Sequence, residues 1–193
     1  MINAEKIVIY LDDILIGAAS IEEHNELLRA VLTRCCRRGL LLNMSKCEFG
    51  FEELTFLGYL NSANGIAMTD NRIKAIADYP LPQDLKKLHS CLCLFNYFRR
   101  FIKNYSLLAA PLLKLLKEEK LVITNEYRHA FDVLRNQLIS SPVLIVYHPD
   151  RETELHCDAS SRGYGACLLQ RKDGAFHRFA YFSCRTTPEE SKY

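Results

Sequence analysis

The chain has 193 residues, 49% of them apolar and 25% charged. Such a composition buries a core, and it excludes a disordered or low-complexity chain. The longest apolar runs, 7–11 and 107–113, fall far short of the ~20 residues that span a bilayer. No charged-then-apolar leader opens the sequence, so no signal peptide or transmembrane segment is expected, and the expected localisation is intracellular and cytoplasmic. The net charge of +2 conceals a segregation. Residues 1–60 carry six Lys/Arg against nine Asp/Glu, residues 61–120 ten against five, and residues 121–193 nine of each. An acidic third followed by a basic one suggests a cation or catalytic site beside a polyanion-binding surface. Ordinary surface charge is the alternative. The eight cysteines form no C-x-x-C pair. They read as small buried thiols of a reducing compartment, and no structural zinc is expected.

In chain order, β-branched residues 7–9 predict a strand over 6–11 and a second over 14–16, with a tight turn at Asp12-Asp13. Ser20 with Glu23 three residues on is a capping box. The helix that follows ends at Arg37-Arg38 and Gly39. Short strands are expected at 40–42, 47–49, 54–60 and 66–68. From residue 70 the pattern turns helical: 70–78, then a helix capped by Asp84 and running to about 100, then 107–116 with Pro111 inside it. Residues 126–139 form another amphipathic helix, with Phe131, Leu134 and Leu138 as its stripe. A strand at 143–147 precedes a three-stranded meander over 154–158, 164–171 and 176–183. The fold class expected is α+β.

Asp12-Asp13 is the strongest chemical signal. Tight hairpins favour Asn-Gly or Asp-Gly, because their turns need positive φ, so a second Asp in place of Gly is unfavourable. Adjacent carboxylates between apolar strands also repel. A bound divalent cation removes that repulsion, and Mg²⁺ takes such hard oxygen ligands together with substrate phosphates. An acidic solvated turn is the alternative.

The segment Ile9-Tyr10-Leu11-Asp12-Asp13-Ile14-Leu15-Ile16 resembles the Tyr-x-Asp-Asp motif of reverse transcriptases. Further matches follow in order. They are Arg38-Gly39-Leu40, Lys46-Cys47-Glu48-Phe49-Gly50, Phe56-Leu57-Gly58-Tyr59 and Asn96-Tyr97-Phe98-Arg99-Arg100-Phe101-Ile102. Pro142-Val143-Leu144, Asp158-Ala159-Ser160 and Gly163-x-Gly165-Ala166 complete the series. Spread over nearly the whole chain, it is similar to the reverse transcriptase and RNase H of gypsy-class LTR retrotransposons.

The resemblance implies a partial palm over 1–68, a helical thumb over 69–118, a tether over 119–149, and the N-terminal β-meander of an RNase H-like fold over 150–193. It makes Asp12 and Asp13 catalytic palm ligands of Mg²⁺ (or Mn²⁺), with Asp12 the firmer. It makes Asp158 the first metal-binding carboxylate of RNase H, against the alternative of a structural cap. Leu57, Gly58 and Tyr59 match the primer grip, although a bulge glycine accounts equally for Gly58. Tyr10 stands beside the primer end. Lys86, Lys87, Arg99, Arg100 and Lys103 are expected to track nucleic-acid phosphates, contacts that carry little base information. Phe95 and Phe98 read as core, and Tyr97 as the aromatic free to meet a sugar.

The implied partners are an RNA or DNA template with its primer, an RNA–DNA hybrid and a dNTP. No membrane partner is implied, and the parent element would work in a virus-like particle. Residues 1–193 lack the first palm Asp and the later RNase H acids of the family pattern. The isolated chain is therefore expected to be inactive. A catalytically dead nucleic-acid-binding remnant and a nonfunctional relic are the alternatives.

Overall fold

The computed structural model describes residues 6–192. Residues 1–5 and Tyr193, the outer ends of the expected first and last segments, lie outside the described residues. The chain mixes helix and sheet and divides into two compact units, Met1–Phe56 and Leu57–Tyr193.

In the first unit, β1 (Ile7–Tyr10) pairs antiparallel with β2 (Asp13–Ile16), Ile7 facing Ile16 and Tyr10 facing Asp13. This register corrects the expected turn. Leu11 and Asp12 make the bend, and Asp13 is already the first residue of β2. The capping box forms: Ser20 Oγ accepts from the Glu23 amide at 3.3 Å and opens α1 (Ile21–Arg37). The Glu23 carboxylate accepts from the Ala19 amide at 2.9 Å and pairs with Lys6, which ties the helix start to the hairpin. The strands expected at 40–42 and 47–49 do not form. A 3-10 turn, Met44–Lys46, capped by Asn43, stands between them. A strand needs a partner for its backbone and a face to bury. Leu40, Leu41 and Leu42 have no strand partner among the described residues, the Leu40 amide closes the end of α1 on the Cys35 carbonyl at 2.9 Å, and Leu41 is 98% exposed. Strand β3 (Glu53–Phe56) closes this unit.

The expected strand over 54–60 is broken by Leu57-Gly58, which leads into β4 (Tyr59–Ser62) and its antiparallel partner β5 (Gly65–Met68). Ile66 and Leu144 exchange backbone hydrogen bonds of 2.6 and 2.9 Å. Of the strand expected over 143–147, only this isolated bridge and a bond from the Ile145 amide to the Arg178 carbonyl at 2.9 Å form among the described residues. The bridge also explains Gly65, where φ is +139° and a Cβ would collide with the Leu144 carbonyl.

Four helices follow. They are α2 (Asp70–Ala77), α3 (Leu85–Tyr97), α4 (Tyr105–Leu115) and α5 (Asn125–Ile139). Thr69, Asp84 and Thr124 each accept from an amide three residues on, so three of the four starts are capped by side chains. Leu88, Cys91, Leu92 and Phe95 of α3 meet Phe131, Leu134 and Leu138 of α5 in one core, which also takes in Ile76, Phe98, Ile102 and Leu112. Each fully buried side chain of this size contributes roughly 1.5–3 kcal/mol. α3 stops at Tyr97, short of the expected residue 100, and a 3-10 turn, Arg99–Phe101, follows it.

The meander forms as expected, with longer strands: β6 (Thr153–Ser160), β7 (Gly163–Lys172) and β8 (Ala175–Arg185), all antiparallel. Gln170 of β7 is fully buried and satisfied. It accepts from the His148 amide and donates to the His148 carbonyl and to Thr153 Oγ1, all within 2.9 Å.

The cysteines differ from expectation. Cys35 and Cys91 are buried, whereas Cys36, Cys93, Cys157 and Cys184 are exposed. Apolar neighbours in sequence do not place a residue on the inner face of its element.

Candidate active site and nucleic-acid interface

The first feature is the tip of the β1–β2 ribbon. Asp12 lies in its turn, and Asp13 faces Tyr10 across the strands, so those two side chains share one face. Asp12, Asp13 and Tyr10 are exposed, and neither carboxylate has a hydrogen-bond or ion-pair partner among the described residues. Leu11 has φ +53°, a conformation usually left to Gly. It costs an L-residue about 1–2 kcal/mol, and such outliers gather at functional sites. The donor set, water-accessible carboxylate oxygens on adjacent residues, is of the hard-oxygen type that suits a divalent cation. Among the described residues no group of three or more His, Cys, Asp or Glu side chains gathers to hold a metal. Mg²⁺ is typically held by one or two carboxylates, with substrate phosphates and waters as its other ligands.

The second feature is the Leu57-Gly58 turn. Both residues have positive φ, +51° and +75°, the pattern of a type I′ turn. A Cβ on Gly58 would meet nothing closer than Arg72 Nε at 3.7 Å. The glycine is thus a requirement of conformation, and the bulge reading does not apply. Beneath the turn, the Tyr97 hydroxyl donates to the Leu57 carbonyl, and the Tyr59 hydroxyl donates to the Tyr97 carbonyl at 3.0 Å. Burial first, then the neighbouring Tyr97, pushes the Tyr59 hydroxyl upward, so it remains a donor at neutral pH.

The five basic residues expected on phosphates fall into two groups. Lys86, Lys87 and Lys103 are exposed, and Lys87 has only a loose ion pair to Asp84 at 3.7 Å. Arg99 and Arg100 are half-buried and turned toward β8. Arg99 Nη2 donates to the Ser183 carbonyl at 2.5 Å and its guanidinium lies over the Tyr105 ring. Arg100 donates to the Phe179 carbonyl at 3.4 Å and covers the Phe179 ring. Asp158 is exposed on β6, opposite Gly165, with no partner among the described residues.

Three features escaped the sequence reading. Ser183 is buried and accepts from the Ser106 amide at 2.8 Å. Asn104, at φ +56°, lies where a Cβ on Gly165 would come within 2.9 Å of its side chain. Neither contact has a local signal, since the partners lie some sixty to eighty residues away. The third was visible: Arg29, Arg34, Arg37 and Arg38 line a groove of about 580 Å³ along α1. Arg34 lies three residues before Arg37 and four before Arg38, a spacing that makes neighbours on a helix surface.

A ribbon with Tyr-x-Asp-Asp at its tip, a Leu-Gly-Tyr turn, a basic helical lobe and a Gly-rich meander, in this order, define a reverse transcriptase joined to an RNase H-like sheet. Residues 1–60 match the family described as reverse transcriptase (RNA-dependent DNA polymerase), and residues 123–193 match the RNase H-like domain found in reverse transcriptase. The chain belongs to the reverse transcriptase and RNase H region of retrotransposon Pol polyproteins. It is 34% identical over 188 residues to the retrovirus-related Pol polyprotein from transposon 297 of Drosophila melanogaster, covering 96% of this chain and 17% of that protein. To the transposon Tf2-3 polyprotein of Schizosaccharomyces pombe it is 31% identical over 189 residues, covering 97% and 14%. The chain therefore spans about a sixth of the length of these relatives. Among solved structures, the foamy viral protease-reverse transcriptase in complex with RNA/DNA hybrid superposes with a TM-score of 0.82 at 26% identity, over 96% of this chain and 26% of that one. The same viral protein in complex with dsDNA gives 0.80 at 26% identity, over 99% and 40%.

Proposed function

We propose that this chain is the palm edge (1–68), thumb (69–118), tether (119–149) and first RNase H strands (150–193) of a retrotransposon RNA-directed DNA polymerase. In that enzyme the 3′-hydroxyl of a primer attacks the α-phosphate of a dNTP, forming the new O3′–P bond as pyrophosphate leaves. Its work belongs in the cytoplasm, inside a virus-like particle. No helix among the described residues is long and apolar enough to cross a membrane.

Asp12 is the firmer and Asp13 the second ligand of Mg²⁺ (or Mn²⁺), and Asp158 is the first carboxylate of the RNase H site. A divalent ion held there neutralises charge on the reacting phosphate. The other tasks fall to protein groups. Tyr10 flanks the primer end. Leu57, Gly58 and Tyr59 hold the primer's 3′ end, and the rigid turn keeps it from drifting out of reach, since an error of about 1 Å in placement is costly. Lys86, Lys87 and Lys103 follow template–primer phosphates without reading bases. Arg99 and Arg100, engaged with β8 carbonyls, serve the joint to the meander rather than the duplex.

The observation that carries this reading is the ribbon tip, where Asp12 in the turn and Asp13 at the start of β2 are exposed and, among the described residues, unpartnered beside Leu11, which is kept in an unfavourable backbone conformation. A salt titration of residues 1–193 against a primed RNA–DNA hybrid, run beside a thermal melt, tests it. Salt-dependent binding and a cooperative melt are expected. Absence of both marks a nonfunctional relic. A second reading, a nucleic-acid-binding remnant, is favoured by the exposed lysines. It requires hybrid binding that is indifferent both to Mg²⁺ and to Asp12→Asn.

A further inference from the structure

Arg72 has no role in the reading above. It lies in the first turn of α2, and its amide donates to Thr69 Oγ1 at 3.4 Å, which fixes the backbone from which the side chain leaves. The side chain is exposed. No carboxylate is within ion-pair reach among the described residues, although Asp70 and Asp78 border the same helix. Its guanidinium instead stands beside Gly58. A Cβ built on that glycine would lie 3.7 Å from Nε and 4.0 Å from Nη2.

The Arg72 guanidinium is left unneutralised next to a bare turn, whereas Arg135 settles on Asp132 and the Phe131 ring. Gly58 leaves both the backbone of the turn and the planar fork beside it open to a ligand. A guanidinium offers paired N–H donors that match two oxygens of one phosphate, and Lys lacks that fork. The turn is held by Tyr97 and Tyr59, so the cation sits next to a fixed support.

We propose that Arg72 is a phosphate ligand of the primer strand, contacting the backbone just where the Leu57-Gly58-Tyr59 turn receives it. The assignment rests on the reading of that turn as the primer grip. Lys74, two residues on, is exposed on the same helix, is not found beside the turn, and serves as the control.

The test is a salt titration of residues 1–193 against a fluorescein-labelled RNA–DNA hybrid with a recessed DNA 3′ end. Each phosphate contact contributes roughly 0.7–0.9 to the slope of log affinity against log salt. Arg72→Gln is expected to lower that slope by about one, with the melt unchanged. Arg72→Lys should restore the slope but not the full affinity, because a point charge replaces the fork. Lys74→Gln should retain the wild-type slope. An Arg72→Gln slope equal to wild type overturns the proposal, as does an equal loss in Lys74→Gln. A second hybrid, capped by hairpin loops so that it has no free 3′ end, separates this claim from the one beneath it. Equal wild-type affinity for both hybrids refutes the primer grip, while the slope still decides whether Arg72 holds a phosphate.

Discussion

Tyr59 and Tyr97 lock the Leu57-Gly58 turn between them. Their rings stack at 5.2 Å, the Tyr59 hydroxyl donates to the Tyr97 carbonyl at 3.0 Å, and the Tyr97 hydroxyl donates to the carbonyl of Leu57. Leu57 is held at a φ that leucine rarely adopts, and the bond to its carbonyl offsets part of that cost. Tyr97→Phe keeps the stack and removes one bond. It is expected to destabilise the chain by about 1 kcal/mol and to speed amide exchange at Gly58 and Tyr59. Leu57→Gly in the same chain should recover much of the loss, since glycine takes positive φ at little steric cost. Hydrogen exchange on the unchanged chain and the two variants measures this. No recovery in the double variant would mean that Tyr97 acts only as packing.

Arg99 and Lys86 look alike in sequence and should behave as opposites. Arg99→Ala removes a charged hydrogen bond to the Ser183 carbonyl and uncovers the Tyr105 ring. A loss of about 1.5–3 kcal/mol in denaturant melts is expected. Lys86→Ala with Lys87→Ala should cost less than about 0.5 kcal/mol in stability, yet lower the salt slope of hybrid binding by about two. Denaturant melts and anisotropy titrations on the same samples check both halves.

That contrast shows what the sequence could and could not tell. Local rules placed the ribbon at 7–16, the Ser20 cap, the helix over 21–37 and the meander, because alternation, caps and helical stripes are written within a few residues. The stripe Phe131, Leu134 and Leu138 proved buried, as did Phe95 and Phe98. Tertiary partners decided the rest. Leu40-Leu41-Leu42 reads as a strand but has no strand partner among the described residues, and 143–147 keeps a bridge to Ile66 and one backbone bond to Arg178. The turn at Leu57-Gly58 is poorly announced because leucine is not a turn residue, and the Tyr97 hydroxyl that meets the Leu57 carbonyl lies forty positions away. Arg99 and Arg100 are expected on phosphates from the resemblance of their segment to a thumb, and they also donate to the carbonyls of Ser183 and Phe179. Nothing near them in sequence announces Ser183 or Phe179.

The buried core should make stability fall at alkaline pH. Burial pushes the Cys91 thiol up to about 12 from 9.0, and the Tyr105 and Tyr127 hydroxyls up to about 12 from 10.0. In each case the folded state keeps the proton longer than the unfolded chain. Above pH about 9–10 the unfolded chain therefore binds fewer protons, and the free energy of unfolding declines until the folded groups themselves ionise near 12. Urea melts at rising pH should show a steady loss beginning above 9, less steep in Tyr127→Phe. That variant sacrifices the bond from the Tyr127 hydroxyl to the Pro82 carbonyl, 2.8 Å long, so it should start from a lower stability at neutral pH. A pH-independent melt through 11 would contradict the burial of all three groups.

The most direct test of the whole reading is where a divalent metal settles. Residues 1–193, isotope-labelled, are titrated with Mn²⁺ while the backbone amide resonances are followed. Paramagnetic broadening is expected first at Leu11, Asp12, Asp13 and Ile14. It should be reversed by excess Mg²⁺ and lost in the Asp12→Asn, Asp13→Asn double variant. Broadening that is unchanged in that variant, or that centres on other carboxylates, would contradict the assignment of this ribbon as the metal-holding edge of a polymerase.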